Sequence, residues 1–185
     1  MNDSAQAAAE ATGLFALLRS DFQAKADWVY GERTAKTMLK AVLTDGSSAM
    51  ILYRLMQASQ RCGLSPLAMI FNKLNVIFGS CTIGRRAQFG PGFVVIHSHG
   101  IVINSAVVGG ADIRLEHQVT IGAERRQTPR LGNDVFVGAG ARILGGVRIG
   151  SHVQIGANAV VLDDVPDHCT AVGVPARVIE REAKS

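Results

Sequence analysis

Cysteine is scarce and odd in number: Cys62, Cys81 and Cys169 are the only three in the chain. No CxxC pair or Cys/His ligand spacing joins them, which argues against a disulfide framework and against a structural zinc, so a reduced, cytoplasmic protein without a metal is expected. No apolar run approaches the ~18 residues of a membrane-spanning helix. The opening MNDSAQAAAEATG also lacks the basic and then apolar order of an export signal. Aromatic residues make up only 5%, so something other than ring packing fills the interior. Lys and Arg outnumber Asp and Glu by 19 to 15. They never form a run of five, so a nucleic-acid arm is excluded and a phosphate-bearing small molecule is the better match.

What is present is apolar and ordered. Hydrophobic residues reach 48% against 18% charged, and 185 residues suffice for one compact domain with a small helical extension. Residues 5–78 read as helices: Leu14, Leu17 and Leu18, then Met38, Leu39, Val42 and Leu43, then Ile51, Leu52, Leu55 and Met56 recur at spacings of three and four. Asp45-Gly46-Ser47 breaks the series. Ser65-Pro66 reads as a helix start with a capping hydroxyl followed by proline. A packing or oligomerisation cap is the plain reading of this region, with Asp21 and Asp27 as its only hints of more.

From residue 81 the period changes. Leu131, Val137, Ile143, Ile149, Ile155 and Val161 follow at intervals of six, and Gly132, Gly138, Gly150 and Gly156 come directly after four of them. Upstream, Ile83, Phe89, Val95 and Ile101 keep the same step, Val108 and Leu115 each fall one residue late, and Ile121 is back on time. Such a hexapeptide repeat builds a solenoid: each unit supplies a short strand with its aliphatic side chain inward, and small residues turn the corners. The repeat resembles the left-handed parallel β-helix of the hexapeptide acyltransferases, in which three units make one 18-residue triangular coil. The fold class is thus mainly β, a β-helix preceded by a short helical domain. The expected organisation is a helical region over 1–78, a β-helix over 79–165 with a loop at 122–130, and a tail over 166–185 that folds back along the wall.

With three units to a coil, as that resemblance implies, counting aligns side chains from one coil to the next. One coil is 18 residues, and two single insertions lengthen the next to 20, so His117 stacks on His97. The loop excess of four brings the column to Ala139, and a normal coil brings it to Ala157. A histidine pair below two alanines, with neighbouring strands ~4.8 Å apart, leaves a groove in which a long ligand can lie.

Within this superfamily the chain resembles the serine O-acetyltransferases. The matching stretches are 92–102 (GFVVIHSHGIV), 119–122 (VTIG), 137–145 (VGAGARILG), 155–158 (IGAN) and 173–177 (GVPAR). The resemblance implies that His97 is the catalytic base, taking the acceptor's hydroxyl proton and returning it to the departing thiolate, with His117 beside it. It implies acetyl-CoA as co-substrate, its pantetheine arm along Gly122, Ala123, Ala139 and Ala157, with Arg142, Arg126 and Arg177 for the phosphates. Asp27 and His99 become acceptor contacts, and the enzyme becomes a trimer or a pair of trimers with the site between subunits.

Three positions depart from the family pattern. Ile96 stands where a carboxylate precedes the catalytic histidine, Thr82 where an aspartate orients it, and Thr128 where the loop carries a histidine. Glu116 or a backbone carbonyl is expected to hold the imidazole instead. The end, EREAKS, lacks the isoleucine that such enzymes insert into the sulfhydrylase of the cysteine pathway. No stable sulfhydrylase complex and weak turnover of free L-serine are therefore expected. Two other readings use the same fold: a γ-class carbonic anhydrase with zinc on His97, His117 and a neighbouring subunit's histidine, and a catalytically silent scaffold.

Overall fold

The computed structural model describes residues 13–180. Residues 5–12 of the expected helical region and 181–185 of the tail lie outside the described residues. Among the described residues four helices come first: α1 (Leu14–Tyr30), α2 (Ala35–Val42), α3 (Ser47–Arg61) and α4 (Ser65–Phe78). Helix α1 ends where Gly31, at φ 70°, donates its N–H to the Asp27 carbonyl, a left-handed terminus that a side chain disfavours. Helix α2 opens with a reciprocal pair: Thr37 N–H donates to Thr34 Oγ1 at 3.2 Å and Thr34 N–H to Thr37 Oγ1 at 3.0 Å. Ser65 does not cap. Leu64 occupies the cap position, no side chain bonds there, and Pro66 sits within the first turn, so it is the pre-set φ of proline that starts α4.

Fifteen short strands follow. Successive coils contribute β1 (Thr82–Ile83), β2 (Gln88–Phe89) and β3 (Val94–Val95); β4 (Val102–Ile103), β5 (Val108–Gly109) and β6 (Ile113–Leu115); β7 (Thr120–Gly122), β8 (Arg130–Leu131) and β9 (Val135–Val137); β10 (Arg142–Leu144), β11 (Arg148–Ile149) and β12 (Gln154–Ile155); then β13 (Val160–Val161), β14 (Cys169–Val172) and β15 (Arg177–Glu180). They form the three walls of a solenoid of about four turns: β1-β4-β7-β10-β13, β2-β5-β8-β11, and β3-β6-β9-β12-β14-β15. All pairings are parallel except the last, where β15 returns antiparallel on β14. Ile83, Ile103, Ile121, Ile143 and Val161 stack inward on the first wall and are buried, each side chain stabilising by about 1.5–3 kcal/mol relative to exposure. On the second wall Gly109 lies over the Phe89 ring, and a Cβ there would come within 2.5 Å of Phe89 Cδ1. One large residue is matched by one absent side chain.

The register corrects where the extra residues lie. Ile103, not Ile101, pairs with Ile83, and Gly109, not Val108, pairs with Phe89. Both insertions therefore fall in one corner, between Val95 and Ile103, which carries His97-Ser98-His99-Gly100. Ile101 is a buried aliphatic that lands on the six-residue step without being the strand position. The total of 20 is unchanged, so the stacking of His117 on His97 is unaffected.

The helices finish the first coil with side chains. Asn72 Nδ2 donates to Ile83 O at 2.7 Å, and Tyr53 Oη donates to Ala87 O at 3.2 Å while accepting from Phe89 N–H. Arg54 donates to Phe89 O and Gly90 O at 2.9 and 2.7 Å and grips Asp21 with two more bonds. Asp21 in turn accepts from Phe93 N–H at 2.9 Å. Asp21 thus joins cap to wall. At the opposite end the wall pairing runs past Pro166: Val165 bridges Ile149, β14 adds to the third wall, and Ala176 N–H donates to Val160 O.

Candidate active site

The lengthened corner after β3 projects His97, whose ring is half exposed. Its Nδ1 lies 3.0 Å from Asp45 Oδ2. Asp45 comes from the break between α2 and α3, so this pair joins the helical region to the solenoid. The expected partner, Glu116, does not serve His97. It lies 3.6 Å from His117 Nδ1, one coil above. Asp45 could have been suspected from the sequence only as a carboxylate in a helix break, because its contact spans 52 residues.

The Asp45 turn is fixed by its neighbour. Gly46 has φ 78°, and a Cβ there would stand 2.3 Å from Val95 O, so the turn presses directly on the backbone that leads into the histidine corner. The Asp45 carboxylate accepts Gly46 N–H at 2.8 Å on its other oxygen. Partial burial pushes Asp45 up, but the bonds from His97 and Gly46 and the nearby His99 hold it below the usual carboxylate range overall. It stays ionised well into acid. With Nδ1 turned to a carboxylate, the free nitrogen of His97 is Nε2.

His99 Nδ1 lies 3.9 Å from the same Asp45 oxygen. The His117 ring meets His97 edge-on at 6.0 Å between centroids. Because Leu115 pairs with Val137 and Val137 with Ile155, Ala139 and Ala157 continue that column. Arg142 stands exposed on the adjacent wall, donating to Thr120 Oγ1 at 3.0 Å. Gly122 ends β7 beside Leu144, and Ala123 follows it at the far edge of that wall. The loop beyond is a hairpin in which Glu124 and Gln127 exchange backbone bonds while Arg125 and Arg126 take φ 47° and 68° at its tip. Thr128 Oγ1 donates to Ala106 O at 3.3 Å. Arg177 opens β15, paired with Val172 at the last strands of the third wall.

Within one chain Asp27 is not beside His97. It pairs with Arg33 at 2.9 Å and lines a pocket with Trp28, Asp112, Arg114 and Asp134, beside β6 and the start of β9 on the third wall. Among the described residues no group of three or more His, Cys, Asp or Glu is placed to hold a metal ion. No described helix is long and apolar enough to cross a membrane.

The family model for bacterial transferase hexapeptide (six repeats) matches residues 128–163. The repeat, the coil geometry and the histidine corner together define an acyltransferase of the hexapeptide class. A serine acetyltransferase of Helicobacter pylori is 37% identical over 145 residues, taking in 76% of this chain and 85% of that protein. The chain belongs to the serine acetyltransferase family. Among solved structures, the Neisseria gonorrhoeae serine acetyltransferase superposes with a TM-score of 0.82 at 30% identity, covering 93% of this chain and 68% of that one. The Brucella abortus serine acetyltransferase, solved in complex with coenzyme A, gives 0.81 at 29% identity over 90% of this chain and 68% of its own.

Proposed function

We propose that the protein transfers the acetyl group of acetyl-CoA to an acceptor hydroxyl, with His97 as the general base. The His97–Asp45 pair on the projecting corner carries this reading. His97 Nε2 takes the hydroxyl proton as oxygen attacks the thioester carbonyl. The C–O bond forms, the tetrahedral oxyanion is stabilised by backbone N–H groups, the C–S bond breaks, and the proton passes to the thiolate, so coenzyme A leaves as the thiol. The coenzyme lies along the small-residue column, Ala139 and Ala157, with Gly122 and Ala123 on the next wall and Arg142, Arg126 and Arg177 for its phosphates. A relative solved in complex with coenzyme A supports acetyl-CoA as the co-substrate.

L-serine is the acceptor that the named relatives support. Ile96, half-buried beside His97, favours a second reading, an acceptor hydroxyl without the full zwitterion, because a sec-butyl side chain offers nothing to an ammonium group. Thiol release from acetyl-CoA against L-serine, homoserine and sugars decides between them. Turnover of L-serine above ~10⁴ M⁻¹s⁻¹, the low end for efficient enzymes, establishes the first reading, and calorimetric binding to a sulfhydrylase points the same way. Release with none of these acceptors overturns the transferase reading.

Asp45→Ala is expected to lower kcat by about 10- to 100-fold, the usual scale for losing a group that orients the reacting one, with little change in KM for acetyl-CoA. An unchanged kcat removes Asp45 from the mechanism. The protein is also expected to be a trimer, with the site completed between subunits. Light scattering should give three chains, or six if the helices join two trimers. A monomer that turns over acetyl-CoA refutes a shared site.

A further inference from the structure

Lys25, in the middle of α1, is 1% exposed. A lysine loses its hydration there, and an apolar residue of similar volume fills such a space at lower cost. Desolvation pushes its ammonium down to about 8, with the Asp45 charge pulling it back up. Its donors are nevertheless used. Lys25 Nζ donates to the backbone carbonyl of Asp45 and, at 3.0 Å, to Ser47 Oγ. Ser47 Oγ passes the connection on by donating to Ala41 O at 2.6 Å. The ammonium therefore sits behind the α2–α3 turn and holds both sides of Gly46, while the Asp45 side chain leaves the front of the turn toward His97.

We infer that Lys25 is a positioning residue for acetyl transfer: it touches neither acceptor nor thioester, but anchors the Asp45 main chain so that the carboxylate is aimed at His97 Nδ1. The turn has two fixed points. Gly46 is wedged against Val95 and Ile96 carbonyls on the solenoid side, and Lys25 ties it to α1 on the other. Removing the second lets the turn pivot about the first, which moves Asp45 more than any other side chain of the site. This deepens the reading of His97 as base and depends on it for the kinetic part of the test.

The test uses the full-length protein and the variants Lys25→Met, Asp45→Ala and their combination, followed by thiol release from acetyl-CoA and by ¹⁵N signals of the His97 ring, which report which nitrogen carries the proton. Lys25→Met should lower kcat between about 10- and 100-fold with KM for acetyl-CoA unchanged. The ring signal should shift from the single Nδ1–H form toward a mixture of tautomers. The double variant should be no slower than Asp45→Ala alone, since both act on one contact. A wild-type tautomer signal in Lys25→Met, or losses that multiply in the double variant, overturns the inference, and so does a lower melting temperature with the ring signal unmoved. If Lys25→Met does not yield folded protein, Lys25→Gln, which keeps a donor but cannot reach as far, replaces it with the same expectations. The ring signal needs no substrate, so it decides the role of Lys25 even if the wild-type protein releases no thiol and the transferase reading fails.

Discussion

Replacing His97 with alanine is expected to slow acetyl transfer by about 100-fold or more while leaving coenzyme A binding nearly unchanged. The magnitude is that of losing a positioned general base. The selectivity follows from the geometry: His97 sits at the start of the column, whereas the proposed coenzyme surface runs up through Ala139 and Ala157 and across the adjacent wall, where alanine at position 97 removes nothing. Thiol release gives the first quantity and calorimetry with coenzyme A the second. His117→Ala should cost less, because His117 meets His97 ring edge to ring at 6.0 Å and has its own carboxylate neighbour in Glu116. Equal losses at the two positions indicate a shared proton relay. A fully active His97→Ala protein ends the assignment.

The second large effect is on folding. Arg54→Ala is expected to destabilise the protein by about 3–5 kcal/mol, the range for removing one partner of a buried ion pair. Both side chains of the Arg54–Asp21 pair are fully buried at 2.7 Å, so the truncation strands the Asp21 carboxylate without a counter-charge. It also withdraws donors from Phe89 O and Gly90 O, carbonyls at the end of the solenoid. The urea midpoint measures the change. Replacing the pair together, Arg54→Met with Asp21→Leu, should recover a large part of the loss, since no charge is then left unpaired. A single-variant loss below about 1 kcal/mol contradicts this account.

The walls were legible because a repeat of six writes the same physical demand at every coil: an aliphatic inward, a small residue at the corner. The placement of the insertion is not legible in that repeat, because Ile101 satisfies the pattern by accident and only backbone pairing separates it from Ile103. The alignment of His97, His117, Ala139 and Ala157 is legible all the same, because it depends on coil totals. Asp45 was not legible, since a contact between a helix break and a solenoid corner has no periodicity to carry it. The helices do carry one signal. In α3, Met50, Tyr53, Arg54 and Gln57 share one buried stripe, and in α1 Asp21, Phe22, Lys25 and Ala26 do the same. A charge on an apolar stripe must find a partner, and these charges mark where the cap grips the wall and where it holds the Asp45 turn.

A parallel stack has no inherent last layer, because each coil offers the next the same row of N–H and C=O groups. Here each end meets a different stopper. Asn72, Tyr53, Arg54 and Asp21 occupy backbone groups of the first coil with side chains. At the other end Val165, Ala176 and β15 lie over or beside the last strands of the three walls. Open strand rows are templates for end-to-end polymerisation. Strand-on-strand growth along the solenoid axis is hindered where these groups are occupied, and the sides of the solenoid are the surfaces across which a corner such as that of His97 can be shared.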